Sequence, residues 1–222
     1  DGSNYFGYQK QPRKKTIQSE LEKALKTINN KSVEVHASGR TDAKVHALNQ
    51  KAHFDLDIDI TTENLKKALN SLLPDDIYVR NVEIVKDDFH ARYNVKAKEY
   101  IYKINMGEYN PFEKDYVYQY NRLLNVIEME RALKYLEGTH DFTSFIKADV
   151  EQDDKIRTII QTNLSRDPRE MNKITISFLG TGFLRYMVRN MVGFLIEVGE
   201  GKYKSEDVLK ILESKDRTKA GI

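Results

Sequence analysis

Residues 183–198 read F-L-R-Y-M-V-R-N-M-V-G-F-L-I-E-V, apolar on nearly every side of a helix. A helix of that kind cannot lie on a surface. It must run through a core, and other elements have to cover it. Arg185 and Arg189 stand four apart and so share one face of this predicted helix. A guanidinium on a buried helix is expected to have an acidic partner, because removing one member of a buried pair costs roughly 3–5 kcal/mol. The preceding Gly180-Thr181-Gly182 is too short for a dinucleotide fingerprint and reads as a turn.

The covering elements can be read from periodicity. Thr16 is a predicted N-cap for a helix with Ile17, Leu21, Ala24, Leu25 and Ile28 on one side. Thr61 or Thr62 caps a second helix carrying Leu65, Ala68, Leu69 and Leu72, stopped by Pro74. Val33 and Val35 form a short β-type run, and Ala52, Phe54 and Leu56 alternate as a half-buried strand. Ile77, Val79, Val82 and Ile84 predict another strand. Residues 95–104 predict a strand with Lys96, Lys98, Tyr100, Tyr102 and Ile104 on one face. A helix over 125–136, strands over 157–164 and 174–179, a charged loop over 149–155 and a last helix over 206–212 complete the reading. Strand, helix, strand, strand, helix, strand is a ferredoxin-like order, once a first strand is supplied. The chain opens at Asp1-Gly2 without a methionine and stops at Ala220-Gly221-Ile222. Terminal strands are therefore expected to be missing from both ends.

Between the two short β-runs lies A-S-G-R-T-D-A-K-V-H-A-L, residues 37–48. Gly39 permits a tight turn, and Arg40, Thr41 and Asp42 follow it. Such a loop at a strand end is where functional groups often sit. The neighbouring arginine is expected to keep Asp42 ionised, which suits a carboxylate nucleophile. By residue type alone, an ordinary Arg–Asp pair closing a turn is the commoner meaning of such a triplet. The net charge is only +2, so a nucleic-acid surface would have to be a local basic patch. Arg13, Lys14 and Lys15 form one basic run; runs of this kind are usually solvated faces. With no cysteine and no close pairing of the five histidines, neither a disulfide nor a metal site is expected. No apolar run is long enough to span a membrane.

Gly39-Arg40-Thr41-Asp42-Ala43, then Val45-His46-Ala47, resembles the G-R-T-D-x-G-V-H-A signature of the TruA-type tRNA pseudouridine synthases. Lys44 stands where that family usually has glycine. The resemblance extends along the chain. D-G-S-N-Y-F-G-Y-Q-K-Q is similar to the family's opening, with Tyr8 in a tryptophan position; Gln9 and Gln11 are candidates to face the loop. Asp88-Phe89-His90-Ala91-Arg92-Tyr93 resembles the junction between halves. Gly138-Thr139-His140-Asp141-Phe142 resembles G-x-H-D-F. His140 and Asp141 invite a dyad reading, but chain neighbours seldom face each other. Phe183, Met187, Val188, Arg189, Met191, Val192 and Gly193 match F-x-x-x-M-V-R-x-M-V-G, and Lys215-Asp216-Arg217 with Ala220-Gly221 match a closing K-D-R and A-G.

The resemblance implies an α+β fold of two ferredoxin-like (RRM-like) halves, residues 1–92 and 93–222. It implies one continuous, mostly antiparallel sheet, helices on one face and a central basic cleft. The implied activity is isomerisation of uridine to pseudouridine in the anticodon stem-loop of tRNA. No cofactor or metal is implied. A homodimer, with one anticodon arm touching both subunits, and a cytoplasmic location are. Asp42 is the implied catalytic residue, acting as nucleophile or base. Tyr100 would pack on the uracil, Arg40 would hold the site of the flipped base, and Arg189 would pair with Asp42. Arg13, Lys14, Lys15, Lys96 and Lys98 are candidate RNA contacts. Two other readings stay open: a non-catalytic RNA-binding ferredoxin-like module, and a glycosidase, which would need a second carboxylate beside Asp42.

Overall fold

The computed structural model describes residues 1–146 and 154–220. Residues 149–153 of the expected charged loop, and Gly221 of the closing motif, lie outside the described residues. The chain divides into two compact units, Asp1–Val95 and Lys96–Ile222.

The first unit is built on two helices. α1 spans Ile17–Asn29 and α2 spans Thr62–Leu72. Thr16 caps α1 by accepting from the Ser19 amide, while Ser19 reaches back to the Thr16 amide, a capping box with serine in the acidic position. Thr61 caps α2 through the Asn64 amide, and the helix gives way at Leu73, the residue before Pro74. Ala24, Leu25, Leu65, Leu69 and Leu73 bury their side chains against Val33 and Val35.

The sheet of this unit is smaller than the alternation predicts. Among the described residues it is one antiparallel ladder, β1 (His36–Ala37) against β2 (Ala52–His53), with His36 opposite His53. Residues 33–35 and 77–84 belong to no ladder among the described residues. Helix side chains take the place of strand partners. The Asn70 amide of α2 donates to the Val79 carbonyl at 3.0 Å and accepts from the Val79 amide at 2.8 Å. Gln18 of α1 donates to the Val35 carbonyl at 3.2 Å. The strand expected at 77–84 is thus a helix-tethered segment. Ile77, Val79 and Val82 pack on the core, but Ile84 is 90% exposed.

In the second unit a five-stranded sheet has the order β4-β3-β7-β6-β5. Its strands are β3 (Lys98–Asn105), β4 (Tyr118–Gln119), β5 (Gly138–Asp141), β6 (Ile156–Arg166) and β7 (Lys173–Gly180). Only the short β3–β4 pairing is parallel. β3 starts three residues later than the predicted start at Val95, so Lys98 belongs to it and Lys96 precedes it. Ile104, Ile174, Ile176 and Phe178 are buried on one face, in a core shared with α3 (Val126–Lys134), α4 (Met187–Gly199) and α5 (Asp207–Ser214). α3 and α4 cross closely at Gly199, where a β-carbon would come within 2.8 Å of the Met129 sulfur. His140 and Asp141 face different partners. His140 Nε2 meets the Glu137 carbonyl, whereas Asp141 takes Thr143 and Lys215.

The helix predicted from Phe183 begins at Met187. Tyr186 is left-handed, at φ 62°, which ends any helix entering from before it. Gly180 lets the chain pass closely here: a β-carbon there would lie 2.9 Å from both the Phe183 ring and the Thr158 carbonyl. Arg185 and Arg189 therefore do not share a helix face, since Arg185 is outside the helix. Nor is α4 apolar all round: Arg189 lies on its exposed side. The expected buried guanidinium is not buried.

Phe194, fully buried and packed edge-on to Phe145 at 5.9 Å, sits at the centre of this core. Phe194→Ala is expected to destabilise the second unit by about 3–5 kcal/mol, read as the shift of a urea unfolding curve.

Candidate active site

The loop of residues 38–50 leaves β1 and returns into β2, closed at its base by Ser38 and Gln50. The Ser38 amide donates to the Lys51 carbonyl at 2.8 Å, the Ser38 hydroxyl meets the Gln50 side chain at 3.1 Å, and the Gln50 amide donates to the Gly39 carbonyl. Further out the Val45 amide donates to the Asp42 carbonyl at 3.2 Å. Its course is set by residues 2–8, which run against it. The Tyr8 amide donates to the Thr41 carbonyl and the Lys44 amide to the Tyr5 carbonyl, each at 3.1 Å. Two glycines let the backbones meet. A β-carbon on Gly7, at φ 88°, would stand 2.6 Å from the Thr41 carbonyl oxygen, and one on Gly2 would stand 2.1 Å from that of Val45.

Asp42 is half-buried at the middle of this loop, and Arg40 is exposed beside it. Lys44 adopts φ 65°. That is the backbone reason for the glycine of the motif, since a left-handed position suits glycine best; this chain carries the strain on a lysine.

The strap is itself anchored. The Tyr5 hydroxyl donates to Asp76. Burial works against the charge on Asp76, but hydrogen bonds from Tyr5 and Asn4 outweigh it and hold the carboxyl below its usual range. Tyr8 is buried with its hydroxyl unpartnered, and that burial pushes its phenol well up. The basic run sits on the same strap: Lys15 lies over the Tyr5 ring at 4.6 Å and Lys14 over Phe6 at 5.1 Å. Arg13 is exposed and left-handed, at φ 59°. Gln11 does not face the loop; its side chain donates to the Phe6 carbonyl at 2.9 Å and closes its own turn. Gln9 lines a separate surface cleft with Gln18 and Glu22.

At the foot of the loop three histidines that are far apart in the sequence come together. His36 stacks on His53 at a centroid distance of 5.0 Å, and His90 meets the His53 ring edge-on at 4.6 Å. Tyr93 continues the cluster at 4.3 Å from His90. Backbone amides donate to two of the rings, Ala91 to His53 Nδ1 at 3.2 Å and Arg92 to His90 Nδ1 at 3.1 Å, so those nitrogens must be unprotonated. Burial, then the neighbouring His90 and His36, lowers the His53 pKa. The usable sequence signal was symmetry: His36 and His53 flank the loop on runs that pair antiparallel, which brings such residues face to face. Among the described residues no group of side chains is arranged to hold a metal ion.

In the second unit Tyr100 is half-buried on β3, opposite Phe178, with its ring edge-on to Phe183 at 4.9 Å. Tyr102 follows two residues on, its phenol raised by burial and partly offset by the Arg189 charge. Both tyrosines pack on the core. Arg189 and Arg185 each place a guanidinium 5.1 Å from the Tyr186 ring. Lys98 is half-buried beside Tyr100, and Lys96 is exposed.

Two measurements follow from the first unit. Gly7→Ala is expected to cost at least about 2 kcal/mol, combining left-handed strain with a backbone clash. Gly201→Ala, also left-handed at φ 79° but with open space around it, supplies the strain-only comparison in denaturant melts. For His53, the folded pKa lies below the ordinary value of 6.5, so the unfolded chain binds more protons just below that pH. Stability should therefore fall as the pH drops below about 6.5. Melting at pH 7.5 and 5.5 should show the loss, and His53→Gln should show a smaller one.

A sequence profile described as tRNA pseudouridine synthase matches residues 1–94 and 132–222. The chain is 48% identical over 222 residues to tRNA pseudouridine synthase A of Anoxybacillus flavithermus, covering 100% of this chain and 89% of the relative. The protein of the same name from an Exiguobacterium species is 47% identical over 223 residues, with the same coverage of both chains. That from Listeria monocytogenes is 43% identical over 221 residues, covering 99% of this chain and 88% of the relative. A matched profile over most of the chain, together with these relatives, shows that the chain belongs to the tRNA pseudouridine synthase family.

Proposed function

We propose that this chain isomerises uridine to pseudouridine in the anticodon stem-loop of tRNA, with Asp42 as the catalytic carboxylate. The observation that carries the reading is the Gly39–Asp42 motif on a loop shaped by a second backbone strap, in a chain of this family. The reaction breaks the N–C glycosidic bond and forms a C–C bond between the same base and sugar. Electrons and atoms balance within the nucleotide, so the chemistry calls for no oxidant and no external donor.

The base must first leave its stack, which costs a few kcal/mol. Arg40, exposed next to Asp42, suits the space vacated by the base and the adjoining phosphates. Asp42 then attacks the ring at C6, attacks the sugar at C1′ or removes the 2′ proton; each role needs an ionised carboxylate. Tyr100, held by Phe183, offers a ring to the detached uracil. The family motif assigns Arg189 to Asp42. Arg13, Lys14, Lys15, Lys96 and Lys98 are the proposed RNA contacts. The reading also takes in the two ferredoxin-like halves, 1–92 and 93–222, with a shared sheet and basic cleft, a homodimer and a cytoplasmic location. Its support for these is the run of family motifs.

Asp42→Asn keeps the shape of the side chain but cannot serve as nucleophile or base. It is expected to abolish pseudouridine formation on an unmodified tRNA transcript while leaving filter-binding affinity within about tenfold of wild type, because binding rests on many phosphate contacts. Arg40→Ala should lower both binding and turnover. Pseudouridine formation by Asp42→Asn near the wild-type rate would overturn the assignment. A wild-type chain that binds tRNA but makes no pseudouridine would identify an RNA-binding module instead.

A further inference from the structure

The turn before α4 carries a cation with no assigned task. Arg185 is exposed, and its one contact among the described residues is with the Tyr186 ring, 5.1 Å from its guanidinium. The other arginine beside this turn is already engaged. Arg157, whose side chain a β-carbon on Gly182 would meet at 3.8 Å, turns to the Asp154 carboxylate at 3.7 Å and to the backbone carbonyls of Asp154 and Ile156. Arg189 places its guanidinium over the same Tyr186 ring. Arg185 thus rests on a ring that also carries a second cation, and the ring orients its guanidinium without cancelling the charge.

The backbone makes the arrangement deliberate in geometry. Tyr186 is left-handed, at φ 62° and ψ 1°, a conformation aromatic residues seldom adopt and one that persists where surroundings impose it. It caps α4 without a side-chain hydrogen bond. In this conformation its ring receives Arg185 from the turn and Arg189 from the first turn of the helix.

We propose that Arg185, positioned by Tyr186, binds a phosphodiester of the RNA backbone. The inference rests on the tRNA reading given above, in which Arg189 is committed to a carboxylate and Arg185 is left for the RNA. Guanidinium suits the task because its planar fork can donate two parallel hydrogen bonds to a phosphate. A neutral polar contact or a base stacked on Tyr186 would bind RNA as well, but neither would release a counterion.

Salt dependence separates these. With the full chain and an unmodified tRNA transcript, log K is measured against log salt for wild type, Arg185→Ala and Arg185→Lys. Loss of one phosphate contact should reduce the slope of Arg185→Ala by about 0.7–0.9 and weaken binding about fivefold near 0.1 M salt. kcat/KM should fall by the same factor. Arg185→Lys should restore the slope while recovering only part of the affinity. Tyr186→Gly keeps the left-handed backbone and removes the ring, and should resemble Arg185→Ala. An Arg185→Ala slope equal to wild type overturns the proposal, whether or not affinity changes. So does a Lys variant that fails to restore the slope while folding normally in a thermal melt. Failure of the wild-type chain to make pseudouridine would instead strike the tRNA-isomerase reading, since the binding slopes are read without turnover.

Discussion

The loop bearing Arg40 and Asp42 owes its shape to a neighbour. Hydrogen bonds within the loop close its base and one tight turn, and a second backbone lying within van der Waals reach holds it between them. Such proximity is possible only where side chains are missing. Gly2 and Gly7 provide the two gaps, and Asp76, bonded to Tyr5, pins the strap that contains them. The backbone on either side of Asp42 is therefore held by main-chain bonds, at the Thr41 carbonyl and the Lys44 amide. This explains how Lys44 can stand in a left-handed position without displacing Asp42 from the motif.

Much of the frame was legible in the sequence because it follows local rules. Thr16 and Thr61 cap the helices they precede, and the two-residue period of Tyr100, Tyr102 and Ile104 marks the buried face of β3. The misreadings arose where a non-local partner decided the outcome. Val35 and Val79 carry strand-like sequence, but helix side chains satisfy their backbone. The helix begins later than its apolar run because Tyr186 is left-handed, a conformation that the residue type does not announce. The candidate residues were found through motif resemblance. The histidine cluster was not, since each histidine lies far from the others along the chain.

A net charge of +2 understates the cationic surface of this chain. Several of its cations rest on rings: Lys14 on Phe6, Lys15 on Tyr5, Arg185 on Tyr186. A ring orients a cation without cancelling it, whereas a carboxylate does both. With 13 tyrosines, nine phenylalanines and no tryptophan, the chain has ample means to hold positive charge ready for a polyanion while remaining close to neutral.

The bidentate grip of Asn70 on Val79 has a further consequence, for association between copies. A strand partner offers a repeating row of donors and acceptors, so each new strand presents an edge for the next. A side-chain amide offers one of each and nothing beyond. Extended backbone that ends on such an amide cannot pass its pairing on, and the hydrogen-bonding groups of Val79 are withheld from a neighbouring molecule. One asparagine thus acts as a chain terminator for sheet growth, in a segment whose Ile84 and Val85 are exposed and would otherwise favour intermolecular β-pairing.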